Sequence, residues 1–327
     1  MGEWDIWDLC DACDLHRDSL SSRIGAVASG MDLLKLSYRA ILRHALSSPL
    51  AGADGYTAEV EEWRSGRLAG LTAPDGWLSL VGHHWLKQGA NTVGSAAHND
   101  IVLANAPAHL GTITWTSDGK VSVELRPDSK ALIDGKAELA SVLIDDSDDE
   151  PTVISFGTTS VYLISRADLK GLRIKDSAAA ARTGFLGLDY FPIDPTWRIE
   201  AKWVPFDAPH EIRIASTVGT AENEKSPGKA VFERDGKTFE LVPVQESPSS
   251  LFFIFSDKTS GKETYGAARF LYSDLPKDGK VVLDFNRAVN PPCAFTPFAT
   301  CPLPPKENRL TVRVTAGEKN YRGQSEY

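Results

Sequence analysis

The chain has few features that would name a chemistry outright. No apolar run approaches the roughly 18 residues that a membrane-crossing helix needs, so no membrane partner is expected. No basic run interleaved with aromatics occurs, and the 44 acidic residues outnumber the 35 basic ones for a net charge of −9. A dedicated nucleic-acid binder would show a basic stripe, so nucleic acid is not an expected partner. No G-x-S-x-G elbow, phosphate-cradling Walker loop or dinucleotide fingerprint opens a helix, which leaves nucleotide-dependent chemistry without support. No cofactor is expected.

Cysteine is scarce, at four in 327 residues. Four do not make a disulfide framework in a chain this size, and a reducing cytoplasm is the expected compartment. The start, MGEWDIWDLCDACDLHRD, is acidic where a secretory signal would be basic and then apolar. Cys10 and Cys13 form a single C-x-x-C, which without a second spaced pair reads as one helical turn rather than a zinc site.

What is present has the texture of a mostly β protein. Residues 1–71 read as a helical arm. Leu34, Tyr38, Ile41 and Ala45 recur at helical spacing. After Pro49, Thr57 is the expected N-cap, with Glu59, Glu61 and Glu62 in the first turn and Val60, Trp63, Leu68 and Leu71 towards a core. From Trp77 onward short alternating runs predominate. Asp-Gly pairs at 118–119, 134–135, 235–236 and 278–279 mark tight turns, because both residues tolerate positive φ. Strands are predicted at TVISF, VYLISR, GLRIKD, RIEAKWV, EIRIASTV, LFFIFS, ARFLYS, VVLDF and LTVRVTA. Strands this short, without strand–helix alternation, argue for sandwiches or barrels. One β-sandwich is expected over 72–176 and a second antiparallel β-domain, sandwich or barrel, over 177–327.

Two resemblances follow. In GANTVGSAAHNDIVLANAPAHLG, the order of Gly89, Asn91, Gly94, Asn99, Asp100, Ile101 and His109 is similar to the opening of forkhead-associated domains, β-sandwiches that read phosphothreonine. Those domains grip phosphate with an Arg after the glycine and a Ser-Arg pair before the His. Ser95 and Pro107-Ala108 stand there instead, so the resemblance implies the sandwich and withholds the charge-assisted phosphate contacts. More broadly, GLDYFPIDPTWR, TSGKETYGAARFLY and DFNRAVNPPCAFTPFATCPLPP, in that order, resemble a family of bacterial and fungal proteins known only as a conserved domain of unknown function. That likeness spans about residues 58–320. It implies an established β-rich fold and supplies no activity. Val289 stands where that pattern has an aromatic, and His83 where it has an apolar residue.

The candidate site comes from the last two motifs. After VVLDF, Pro291 and Pro292 end ladder pairing, and the proline-rich segment that follows is stiff before any ligand arrives. Such a segment serves equally as a binding wall or as a strap over a sheet edge. Asp284 and Asn286 share one face if the strand continues, with Phe285 opposite. Glu263, Tyr265 and Arg269 share a face if their stretch is a strand. Together they suggest a polar cleft in which Arg269, Asn286, Asn290 and Cys293 hold a small anionic molecule, Glu263 or Asp284 acts as general base, and Tyr265 donates a proton. The bland reading of Glu263, Tyr265 and Arg269 is an internal ion-pair network. Asp189, Tyr190, Asp194 and Trp197 lie either in a turn or at the cleft mouth. Cys293 and Cys301 fit buried thiols, a disulfide, a nucleophile or metal ligands. IDDSDDE, 144–150, reads as a solvated hairpin rather than a calcium loop. His83 and His84 are adjacent, point to opposite faces of a strand and cannot chelate together; no metal site is expected.

Three functions fit this pattern: a cofactor-independent enzyme using carboxylate acid/base chemistry, a non-catalytic small-molecule binder with the same cleft, and a scaffold whose first sandwich binds a protein.

Overall fold

A computed structural model of the protein describes residues 53–323 apart from residue 149. The expected helix around 34–45 and the Cys10–Cys13 pair lie outside the described residues. The chain enters on α1 (Ala53–Thr72), which starts four residues before the predicted Thr57 cap and so carries Thr57 inside its first turns. Val60 and Leu71 are buried as expected, but Leu68 is 41% exposed. The buried stripe is instead Tyr56, Val60, Arg67 and Leu71, a helical spacing that passes Leu68 by. Among the described residues no helix is long and apolar enough to cross a membrane.

Ten strands follow: β1 (Leu80–Trp85), β2 (Gly89–Gly94), β3 (Ile101–Val102), β4 (Gly111–Trp115), β5 (Val121–Leu125), β6 (Leu132–Ile133), β7 (Ala140–Val142), β8 (Val153–Phe156), β9 (Thr159–Arg166) and β10 (Leu169–Asp176). They form two five-stranded sheets, ordered β1-β10-β9-β8-β6 and β3-β2-β4-β5-β7. Only the short β2–β3 pair is parallel. Alternate residues of both sheets, among them Val93, Ile113, Val123, Ile154, Leu163 and Leu172, enter one shared core. The residues that echo forkhead-associated domains hold loops in place. The buried Asn91 side chain bonds the main chain at Lys87, Gly89 and Ile113, while Asn99 donates to the carbonyls of Ala96 and Ala108. The acidic run is not a solvated hairpin. Asp146 accepts both ends of the Arg166 guanidinium, and Asp145 is bonded by Ser147, Ser165 and Lys170.

After the single turn of α2 (Ala180–Thr183), seven strands complete the fold: β11 (Arg198–Ala215), β12 (Ala221–Arg234), β13 (Lys237–Leu241), β14 (Val244–Ser247), β15 (Ser250–Phe255), β16 (Arg269–Asp274) and β17 (Lys280–Asp284). They make an antiparallel sheet ordered β13-β12-β11-β17 and a three-stranded sheet β14-β15-β16. None of the four sheets closes into a barrel among the described residues. The predicted strands RIEAKWV and EIRIASTV are one strand, β11, whose register shifts between Pro205 and His210. Pro205 and Pro209 carry no amide proton, so the ladder slips there without ending. LTVRVTA is no strand. It runs alongside the sheet with Leu310, Val314 and Ala316 buried, held at its start by a parallel bridge at Ser256–Arg309 and by main-chain bonds from Leu310 to Ser256 and from Lys258 to Val312, and further on by side chains.

Aromatic packing fixes the C-terminal core. Phe285 is fully buried, with its ring centroid 5.5 Å from that of Phe255, 5.7 Å from Trp197 and 5.8 Å from Phe232. Three of the four Asp-Gly turns place both residues at positive φ, as at Asp235 (52°) and Gly236 (70°), the backbone that a tight hairpin requires.

Candidate functional site

The strand β17 ends at Asp284, and residues 285–287 form a 3₁₀ turn. Asp284 and Asn286 therefore meet because Asp284 caps that turn, accepting the Asn286 amide, and not because a strand continues. The cap receives a third partner from far away. The Tyr56 hydroxyl on α1 donates to Asp284 Oδ1 at 2.8 Å, and Asn286 Nδ2 donates to the same Tyr56 oxygen at 2.9 Å. Asn286 also pairs with the Asp194 main chain in both directions. Burial, and then the Asp284 carboxylate, pushes the Tyr56 phenol well above its ordinary value. The nearby Arg287 joins Asp284 at 3.4 Å and also bonds Glu59.

About three turns further along the helix, at 3.6 residues per turn, Arg67 continues the polar stripe. Its Nε donates to Glu318 Oε1 at 3.0 Å, and its Nη2 donates to the Asn290 carbonyl at 3.0 Å. Glu318 is fully buried, and its second oxygen accepts the Asn290 amide at 2.7 Å. Burial lowers the Arg67 affinity for its proton, but Glu318 outweighs it and the net shift is upward. Glu318 reaches this place because Gly317, at φ +79°, lies against the carbonyls of Phe285 and Ala288, where a side chain has no room. Phe191 then donates to the Gly317 carbonyl, and Tyr190 pairs with Glu318 across an isolated bridge. Arg64 lies over the Tyr190 ring at 4.1 Å and bonds the Phe191 carbonyl.

Three buried polar atoms around this ion pair have no partner among the described residues: Arg64 Nε, Asn290 Oδ1 and Tyr190 Oη. Asn290 is 1% exposed; its Nδ2 donates to the Lys319 carbonyl at 2.7 Å, yet its Oδ1 accepts nothing. Tyr190 Oη is likewise buried without a partner. Burial, followed by the Glu318 charge, raises the Tyr190 phenol, so it keeps its proton and stands as a donor. Buried polar atoms are nearly always satisfied, so three orphans around one ion pair call for an explanation.

The other predicted residues do not join this place as a cleft. Glu263 and Tyr265 lie in turns before β16, not on a strand with Arg269. Glu263 pairs with Arg313 at 2.6 Å, and its carbonyl accepts the Asn320 amide. Tyr265 donates to the Cys293 carbonyl at 3.2 Å, and burial raises its phenol. Arg269, expected to clamp a substrate carboxylate, is 1% exposed and bonded throughout. It pairs with Asp257 at 2.8 Å and donates to the carbonyls of Val314 and Ala316. Burial lowers its proton affinity against the pull of Asp257. The guanidinium thus straps the far end of the 310–316 segment to the sheet through an internal ion pair with Asp257, not through a network with Glu263 and Tyr265. Cys293 is bonded to Cys301 with Cα atoms 6.2 Å apart, so neither sulfur is a free nucleophile or ligand. That disulfide pins the proline-rich segment, which is also tied to β1 by Thr296 donating to the Leu80 carbonyl. Among the described residues, no group of three or more His, Cys, Asp or Glu is placed to hold a metal ion.

Sequence reasoning missed Tyr56, Arg67, Asp257 and Glu318. The spacing of Tyr56, Val60, Arg64, Arg67 and Leu71 was the available signal for the first two. It is a helix face that reads as solvated only if polar residues are assumed to point outward.

Residues 183–319 match the family described as "Protein of unknown function (DUF1684)". A solved structure of an uncharacterised protein from gene locus rrnAC0354 of Haloarcula marismortui is 31% identical; the match covers 44% of this chain and 81% of that one, with a TM-score of 0.36. A structure of Rad53 1–466 in complex with AMP-PNP is 12% identical over 61% of this chain and 48% of that one, with a TM-score of 0.14. Neither superposition is close enough to bear on the fold. No curated protein matches the sequence. Tyr190, Asp257, Arg269, Asp284, Asn286, Asn290 and Glu318 all lie within the matched region, and it is through these residues 183–319 that the chain belongs to the family of unknown function DUF1684.

Proposed function

We propose that this protein binds a small molecule beside the Arg67–Glu318 pair, between α1 and the 286–290 segment, and does not transform it. The reading rests on one observation: Asn290 Oδ1 and Tyr190 Oη are buried with no partner, as is Arg64 Nε beside the Tyr190 ring, while Arg67, Glu318 and the Asn290 amide are bonded. The catalytic alternative has less support. Glu263 and Asp284, the expected general bases, are engaged by Arg313 and by Tyr56, Asn286 and Arg287 respectively. Arg269, the expected anion clamp, is saturated by Asp257 and two carbonyls. A general base needs a free lone pair within reach of a substrate proton, and these carboxylates offer theirs to the fold.

Ligand-observed NMR with a mixed pool of small carboxylates, amides and polyols tests this. Wild-type protein should broaden the signals of at least one compound, and Asn290→Leu should abolish that broadening. A folded wild-type sample that broadens none contradicts the binding reading. Turnover of any pool member, lost in Asp284→Asn, would restore the catalytic one.

A further inference from the structure

The Cys293–Cys301 bond closes the proline-rich segment on itself, and its two sulfurs have different surroundings. Cys301 is 5% exposed and packs in an apolar cluster with Ile212, Phe252 and Ala299. Cys293 is only partly buried, and on its exposed side the Thr217 hydroxyl lies 3.7 Å from its Sγ. The Cys293 amide donates to Cys301 Sγ at 3.2 Å. In thiol–disulfide exchange the incoming thiolate attacks the sulfur it can reach, and the other sulfur leaves with the electron pair. Burial alone would disfavour a thiolate at Cys301. The amide offsets this, because an N–H donor bonds more strongly as the sulfur gains negative charge. Access therefore selects Cys293 as the sulfur attacked, and the amide selects Cys301 as the one that leaves. Two separate features give the same direction.

We propose that this bond is a thiol-exchange site, opened at Cys293 by a low-molecular-weight thiol such as glutathione. A glutathione thiolate forms a bond to Cys293 Sγ as the Cys293–Cys301 bond breaks, and the electron pair leaves on Cys301. A second glutathione thiolate attacks the glutathione sulfur of that mixed disulfide, releasing glutathione disulfide and leaving Cys293 as a thiolate. The two protein thiolates take up the two protons that the glutathione thiols gave up. The protein thus gains two electrons and two protons, and two thiols are oxidised to one disulfide. The opened segment keeps its other ties: Tyr265 to the Cys293 carbonyl at 3.2 Å, the Thr217 amide to the Cys301 carbonyl at 2.9 Å, and Thr296 to the Leu80 carbonyl at 3.1 Å. The dithiol form therefore stays folded, and the bond can re-form.

Chymotryptic cleavage after Phe295 or Phe298 separates the two cysteines, and Cys10 and Cys13 fall on other peptides, so mass spectrometry places an adduct on one residue. Full-length Cys301→Ser and Cys293→Ser chains each retain one of the pair, and both are incubated with glutathione disulfide under native conditions. Cys293 in the first should take up glutathione at least about tenfold faster than Cys301 in the second. Equal rates, or faster uptake at Cys301, overturn the assigned direction. The wild-type chain supplies an arm that needs no substitution. Treated with reduced glutathione and quenched in acid, it should show adduct on Cys293 and a reduction rate that rises in proportion to glutathione. Adduct on Cys301 overturns the direction here too. A rate that levels off at the global unfolding rate, measured by hydrogen exchange, overturns exchange in the folded state and leaves the bond a purely structural one.

Discussion

Replacing Arg67 by Met tests how the helix is held to the rest of the molecule. Met keeps much of the apolar stem and loses the charge. In the variant the fully buried Glu318 carboxylate keeps only the Asn290 amide, at 2.7 Å, as its donor. The Asn290 carbonyl loses the Arg67 Nη2 bond as well. Breaking a buried ion pair from one side costs about 3–5 kcal/mol, because the remaining charge is left without compensation. The Arg67 side chain is 13% exposed, so some water reaches the pair, and the lower end, about 3 kcal/mol, is expected. Glu318→Gln in the same chain removes the stranded charge, so the double variant should recover most of that loss. Urea unfolding of wild type, both single variants and the double variant gives the coupling directly, with unchanged m-values confirming that the same surface unfolds. Hydrogen exchange on α1 adds the local readout, since Arg67→Met should raise exchange there before the strands are affected. A loss below about 1 kcal/mol in Arg67→Met, or no recovery in the double variant, would refute the argument that the pair fastens the helix.

Other expectations follow from the same structure. Arg269→Met should destabilise by about 3–5 kcal/mol, and hydrogen exchange should show the 310–316 segment losing protection first, since Asp257 is left unpaired and two carbonyls lose their donor. Reducing the Cys293–Cys301 bond, which spans eight residues, should lower stability by about 2–3 kcal/mol, read as a lower urea midpoint in a thiol reductant. His83 is held at about 4, against 6.5 unperturbed, because burial and then Arg173 disfavour its cation. The unfolded chain therefore binds the proton first, so the His83 contribution is intact above pH 6.5 and lost as pH falls towards 4. Glu222 and Glu224 have the opposite sign: burial raises both, so their unfavourable contribution grows as pH rises through their folded values. His83→Gln should accordingly flatten the acid side of a urea-midpoint profile between pH 6.5 and 4 while leaving the alkaline side unchanged.

The local rules carried well from sequence to structure. Asp235-Gly236 and Asp278-Gly279 are turns because Asp and Gly tolerate the positive φ that a tight hairpin needs, a preference that is local to the pair. Phe285 faces the core while Asp284 and Asn286 face α1, but it is the cap of a 3₁₀ turn that puts them there and not the strand alternation expected. What failed was the assignment of partners. A guanidinium wants a carboxylate, but nothing in TSGKETYGAARFLY says whether Arg269 takes one from a ligand or from Asp257, twelve residues earlier. The Arg67–Glu318 pair is separated by 251 positions, and only the folded chain brings it together. LTVRVTA alternates like a strand, yet its main chain pairs with Ser256 and Lys258 at one end while the Arg269 guanidinium takes the carbonyls of Val314 and Ala316 at the other. For Cys293 and Cys301 the sequence left buried thiols, a disulfide, a nucleophile and metal ligands open, because spacing alone does not choose among them; the fold makes them a disulfide.

The most direct test of the binding site is a high-resolution crystal structure of the protein soaked in the compound that the NMR pool identifies. Density for that compound at hydrogen-bond distance from Asn290 Oδ1 and Tyr190 Oη is the predicted result. A single water bridging the two side chains, unchanged by the soak, would contradict it.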